Sequence, residues 1–152
     1  MISKYFQIVF ITAAMAIVVV QTATAQAANA KASSKFDGHW SVVLVCDDVV
    51  NNKGALVKGY IYKFPVVVKQ GRLEGQYGTL NAPASLQYFG MIQEDGTVEI
   101  TATGRTGHPE YTVGRVAKDT SYGYTMRGNF KESSGSAVRT ELRPCKATFS
   151  KQ

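Results

Sequence analysis

Residues 60–77 read Tyr60-Ile61-Tyr62-Lys63-Phe64-Pro65-Val66-Val67-Val68-Lys69-Gln70-Gly71-Arg72-Leu73-Glu74-Gly75-Gln76-Tyr77. Tyr60, Tyr62, Phe64, Val66 and Val68 share one face of an extended chain, against Ile61, Lys63, Pro65, Val67 and Lys69. After Gln70-Gly71 the alternation resumes, with Leu73, Gly75 and Tyr77 against Arg72, Glu74 and Gln76. A period of two on both sides of a Gly turn predicts an antiparallel hairpin with one buried and one wet face. Pro65 cannot donate to a ladder, so it marks a bulge or a poorly paired stretch on the outward face.

The same pattern extends in both directions. Gly, Asn, Asp and Pro punctuate the chain every 8 to 14 residues after residue 36, and no helical period of useful length appears. Eight strands are predicted, at 39–46, 60–69, 72–77, 86–93, 97–105, 111–117, 121–131 and 137–149. Glu94-Asp95-Gly96 is a strong hairpin signal of the Asp-Gly type. Val98, Ile100, Ala102 and Gly104 alternate with Thr97, Glu99, Thr101 and Thr103, and Tyr122, Tyr124, Met126, Gly128 and Phe130 with Ser121, Gly123, Thr125, Arg127 and Asn129. The expected fold is all-β, a single antiparallel eight-stranded up-and-down barrel, with a barrel-like sandwich as the alternative. An outer-membrane barrel is apolar outside. Here Lys, Glu, Arg and Gln occupy the middle of the outward faces, so a soluble barrel is expected.

The N-terminus reads as an address. Lys4 precedes the apolar run Ile8–Val20, and Gln21–Ala30 offers small-residue cleavage points after Ala25, Ala27 or Ala30. The run has 13 residues, whereas a spanning helix needs about 20. Residues 1–25 therefore read as a signal peptide, with cleavage as late as residue 30, followed by a flexible linker at 26–35 and the barrel at 36–152. The expected location is periplasmic or secreted, with no integral membrane span after cleavage. The chain carries 17 basic and 11 acidic residues, and loss of Lys4 lowers its net charge from +6 to +5. The excess is scattered without a Lys/Arg run, so no nucleic-acid partner is expected.

Cys46 and Cys145 are the two cysteines, 99 positions apart near the ends of the first and last predicted strands. In a closed barrel those strands are neighbours, and an exported even pair is usually bonded. A sandwich could also bring them together. No C-x-x-C occurs, so the expected role is structural.

Phe36-Asp37-Gly38-His39-Trp40 opens the first strand with a G-x-W, and Gly71-Arg72-Leu73-Glu74-Gly75-Gln76-Tyr77 supplies a G-x-L-x-G-x-Y. Over residues 36–149 the chain resembles small secreted or periplasmic F-D-G-x-W proteins of Gram-negative bacteria, a resemblance that implies a β-barrel and no particular activity. More weakly, its first three strands are similar to those of the calycins, the avidin and lipocalin superfamily of ligand-binding barrels. The calycin resemblance implies that Trp40 closes one barrel end against an arginine of the last strand, Arg139 or Arg143. The chain has one tryptophan where avidins use several, and it lacks the lipocalin T-D-Y motif.

Tyr60, Tyr62, Tyr77, Tyr88, Tyr122 and Tyr124 all fall on the inward face. With Trp40 they are the candidate ligand-binding residues, because rings can stack a flat ligand while their hydroxyls hydrogen-bond its rim. An eight-stranded interior can equally be filled by side chains, here by rings lying over Gly75, Gly90, Gly104 and Gly128. A ligand pocket would need about 300 Å³. Asp47-Asp48 with Asn51-Asn52 lacks the spacing of a calcium loop, and His39 and His108 stand apart. No catalytic motif, cofactor motif or metal set is present. The expected function is non-enzymatic binding of a small apolar or aromatic ligand. The alternatives are a protein-binding barrel, such as a secreted protease inhibitor or envelope interaction module presenting Lys31–Phe36 or Asp47–Gly59, and an envelope component held by charge.

Overall fold

The computed structural model describes residues 33–152. The expected signal peptide, and the linker up to residue 32, lie outside the described residues. The end of the expected linker is built into the fold. Ser33 N donates to Ile92 O at 3.2 Å, and Ser34–Phe36 forms a single 3-10 turn that buries Phe36.

Eight strands form the closed barrel: β1 (Gly38–Cys46), β4 (Tyr60–Lys69), β5 (Arg72–Tyr77), β6 (Ser85–Ile92), β7 (Thr97–Arg105), β8 (Ser121–Phe130), β9 (Ser134–Arg139) and β10 (Cys145–Lys151). Two short strands, β2 (Val49–Val50) and β3 (Leu56–Val57), pair as a separate hairpin within the β1–β4 connection. Every barrel neighbour is antiparallel, and β1 pairs with both β4 and β10. That closure makes an up-and-down barrel and excludes the sandwich.

Two predicted strands differ from the observed ones, and the differences cancel in the count. Residues 111–117 form no strand. Pro109–Tyr111 is a 3-10 turn, and the chain turns again at Arg115, whose φ is 52°. β7 and β8 already pair from Thr97↔Asn129 to Arg105↔Ser121, and their other edges belong to β6 and β9. The intervening residues have no edge left to join. Residues 137–149 form two strands, β9 and β10, because the chain reverses at 140–144. Leu142 there has a φ of 57°, and Pro144 has no N–H for a ladder.

The predicted inward faces are the inward faces. Val42, Leu44, Val66, Leu73, Leu86, Ile100, Met126 and Ala147 are all buried in one core. Each large apolar side chain removed from water contributes about 1.5–3 kcal/mol before chain entropy is counted.

The two ends of the barrel differ. At the end holding Lys69, Ile92 and Phe130 the connections are tight. Gln70-Gly71 has φ of 52° and 75°, the doubly left-handed pair that a two-residue hairpin matched to strand twist requires. Glu94-Asp95-Gly96 turns with Gly96 at φ 87° and Gly96 N bonded to Gln93 O. Phe36, Trp40, Phe130 and Phe149 plug this end, with Trp40–Phe130 centroids 5.1 Å apart and Phe130–Phe149 4.8 Å. The motif that opens the first strand is thereby explained. Trp40 Nε1 donates to Phe36 O at 3.0 Å, and the Asp37 carboxylate accepts from Gln70 N (2.8 Å) and Gly71 N (3.0 Å).

At the other end the long connections gather, and two ladders stop early. β4 and β5 pair only from Lys69↔Arg72 to Val66↔Gly75, ending next to Pro65 as its missing N–H leads one to expect. β8 and β9 pair only from Phe130↔Gly135 to Arg127↔Val138. Above those points the wall divides into two four-stranded halves, β4-β1-β10-β9 and β5-β6-β7-β8, and the barrel flares open.

Candidate functional site

A cavity of about 530 Å³ occupies the flared end. One half of the divided wall contributes Tyr60, Tyr62 and Arg139, with Leu142 and Arg143 from the β9–β10 turn. The other contributes Tyr122, Tyr124 and Arg105. Residues 106–116 form the rim on one side. The rim is braced by the β2–β3 hairpin: Lys58 N donates to Glu110 O (3.1 Å), Asn51 Nδ2 to Val113 O (3.3 Å) and Arg115 Nη2 to Leu56 O (2.7 Å). Asn51 Oδ1 also accepts from Lys53 N and Ala55 N, and Asp48 from Gly59 N. Asn51 therefore ties its own loop to the rim, and Asp48 serves its own loop.

The candidate residues divide into three groups. Tyr60, Tyr62, Tyr122 and Tyr124 line the cavity. Tyr77 does not line the cavity but packs against the core, stacked on Tyr62 with centroids 3.9 Å apart and planes 11° from parallel, where β4 and β5 have parted. Tyr88 is fully buried beneath the cavity, its hydroxyl donating to Met126 Sδ at 3.1 Å. Trp40 is fully buried at the closed end and does not line the cavity. The interior is therefore both things the sequence allowed: filled below, open above. Of the four glycines expected beneath rings, Gly75 faces the Phe64 ring and Gly104 the Tyr122 hydroxyl, whereas the nearest neighbours of Gly90 and Gly128 are backbone and aliphatic side chains. A Cβ on Gly104 would come within 2.7 Å of Tyr122 Oη, which itself donates to Ser85 O at 2.9 Å.

The arginines fall at the opposite end from that implied by the calycin resemblance. Trp40 meets Lys151, whose Nζ lies 5.6 Å from its ring. Arg139 and Arg143 instead serve the open end. Arg139 Cζ is 4.2 Å from the Tyr124 ring centroid and Arg143 Cζ is 5.3 Å from that of Tyr60. The antiparallel register requires this. Cys145 pairs with both Cys46 and Arg139 at the open end, while Trp40 pairs with Lys151 at the closed end.

Charge in the cavity is one-sided. At the rim, Arg105 pairs with Asp119, and Lys58 with Glu110 at 3.5 Å. Among the described residues Arg139 and Arg143 form no ion pair. Arg143 is 2% exposed. Its Nη1 donates to Lys58 O at 3.0 Å, but its Nε and Nη2 and the Nε of Arg139 are buried without a hydrogen-bond partner. Burial, with the nearby Arg139 charge adding to it, lowers the Arg143 pKa from its ordinary value. Burial raises the phenols. Tyr62 is pushed up to about 12, and Tyr60, Tyr122 and Tyr124 are raised as well, with Arg139 opposing the rise in these three. The wall thus presents neutral ring faces and hydroxyls around two unpaired guanidinium groups. Sequence reasoning found the rings through their alternation. It missed Arg139 and Arg143 as site residues, although their closeness in sequence to Cys145 was the available signal.

Comparison with family models, with curated proteins and with solved structures finds no match. The described residues contain no helix long and apolar enough to cross a membrane. Cys46 and Cys145 form a disulfide.

Proposed function

We propose that the chain is a periplasmic or secreted, non-enzymatic binding barrel whose open end holds a small apolar or aromatic ligand. The cavity carries this reading. At about 530 Å³ it falls within the roughly 300–1,000 Å³ of small-molecule pockets, and it has the usual makeup of aromatic walls with a few polar groups. The disulfide and the apolar run Ile8–Val20 support an oxidising location.

A titration with bicyclic aromatic compounds, followed by NMR of labelled tyrosine rings and the indole N–H, tests the reading. The Tyr60, Tyr62, Tyr122 and Tyr124 signals should shift while Trp40 stays fixed. Shifts at Trp40 alone, or none at the open end, would overturn it.

One observation favours the protein-binding alternative. Ile61, Leu142 and, on the β2–β3 hairpin, Val50 and Leu56 are exposed apolar side chains at the open end. A protein partner seated there would protect the β2–β3 hairpin from hydrogen exchange, whereas a ligand in the cup would leave it exchanging.

A further inference from the structure

We infer that the ligand is an aromatic carboxylic acid, its ring against the tyrosine wall and its carboxylate held between Arg143 and Arg139. The inference rests on the reading of the cavity as a ligand site and adds the charge and orientation of the occupant.

Three observations converge on it. The first is which atoms of Arg143 lack partners. Nη1 is tied to Lys58 O and the guanidinium lies against Tyr60, so the group is fixed in place. The open atoms are Nε and Nη2, the two whose N–H bonds point the same way along one edge. That edge matches the two oxygens of a carboxylate in a bidentate pair.

The second is the absence of a counter-charge where it is most needed. Among the described residues, Arg105 and Lys58 at the rim have carboxylate partners, whereas the two guanidinium groups inside have none. Asp48 is the carboxylate whose charge reaches Arg143, and it accepts from the backbone of Gly59. A buried cation without a counter-ion is costly, and two near each other cost more. An anion entering the cavity relieves both.

The third is the placement of the remaining donor. Arg139 Nε is also unpartnered, and Arg139 lies over the ring of Tyr124, whose hydroxyl is shared with that of Tyr88. Arg139 and Tyr124 line the same cavity as Arg143. An acid with a flat body sets its oxygens at these guanidinium donors and its ring on the neighbouring ring faces.

The test is calorimetric titration of the disulfide-bonded protein with benzoate, 2-naphthoate and indole-3-acetate, each beside its uncharged methyl ester. Charge-assisted hydrogen bonds predict that the best acid binds at least about tenfold more tightly than its ester. Arg139→Gln should bring the acid down to the level of the ester. Arg143→Gln should do the same, and if its loss prevents folding, Arg139→Gln, whose guanidinium is anchored only on a ring, keeps the test. Acid and ester binding equally would overturn the inference and leave the aromatic cup standing. An acid preference that survives both substitutions would also overturn it. Failure of every acid and ester to bind would contradict the cup itself.

Discussion

Cys46 and Cys145 stand directly opposite each other where β1 meets β10, with Cα atoms 4.1 Å apart, and their disulfide ties the seam of the barrel at its open end. It lies in the half-wall that carries Arg139 and Arg143, next to the point where the other ladders have already parted. The bond closes a loop of 99 positions. In the chain-entropy model a loop of about 100 residues contributes some 4.7 kcal/mol.

Replacing both cysteines by alanine should therefore lower unfolding free energy by about 3–5 kcal/mol. A urea titration of the double variant beside the parent measures it. An unchanged midpoint would mean that the seam is held by its ladder alone.

At the closed end, Asp37 ties the start of β1 to the Gln70-Gly71 turn through two backbone N–H groups. Asp37→Ala should cost about 1–2 kcal/mol, and Asp37→Asn, which keeps one acceptor oxygen, should cost less. Ligand affinity should not change, because the residue lies across the barrel from the cavity. Thermal unfolding and binding measured on the same preparations separate the two effects.

Gly104→Ala places a methyl group against Tyr122 Oη and Ser85 O. Overpacking of this kind costs about 1–3 kcal/mol. The displaced Tyr122 ring should also weaken binding. A variant that loses stability while binding normally would show that Tyr122 is not part of the working wall.

Tyr62 holds its proton to about pH 12 in the fold, while a phenol in the unfolded chain releases it near pH 10. Between these values the unfolded state carries fewer protons than the folded one, so stability falls as pH rises from about 10 toward 12. Tyr60, Tyr122 and Tyr124 are shifted in the same direction and add to the fall. Phenolate absorbance followed with far-UV circular dichroism should show these tyrosines ionising late, with the loss of structure. Full ionisation near pH 10 with the barrel intact would contradict their burial.

The inward face, two hairpin turns and the cysteine pairing were legible in the sequence because each is a local or pairwise signal. Tyr60 to Val68 alternates without a break, and Gln70-Gly71 needs no tertiary information to turn. Residues 111–117 misled because Tyr111, Val113 and Arg115-Val116 resemble strand residues, and pairing depends on a free edge that sequence does not reveal. The reversal at 140–144 is marked in the sequence by Pro144, which cannot donate to a ladder. The cavity itself had no sequence signature. It comes from two ladders ending early, at Val66↔Gly75 and Arg127↔Val138, and from loops long enough to rim the gap. Arg139 and Arg143 became site residues only once the register put them at that end.

The most direct test of the central claim is native mass spectrometry of the processed protein purified from the cells that make it, set beside its denatured mass. The account predicts a small acidic molecule that travels with the folded chain, leaves on denaturation and is lost from Arg139→Gln. A folded chain that carries only its own disulfide-bonded mass, or an adduct indifferent to that substitution, would contradict it.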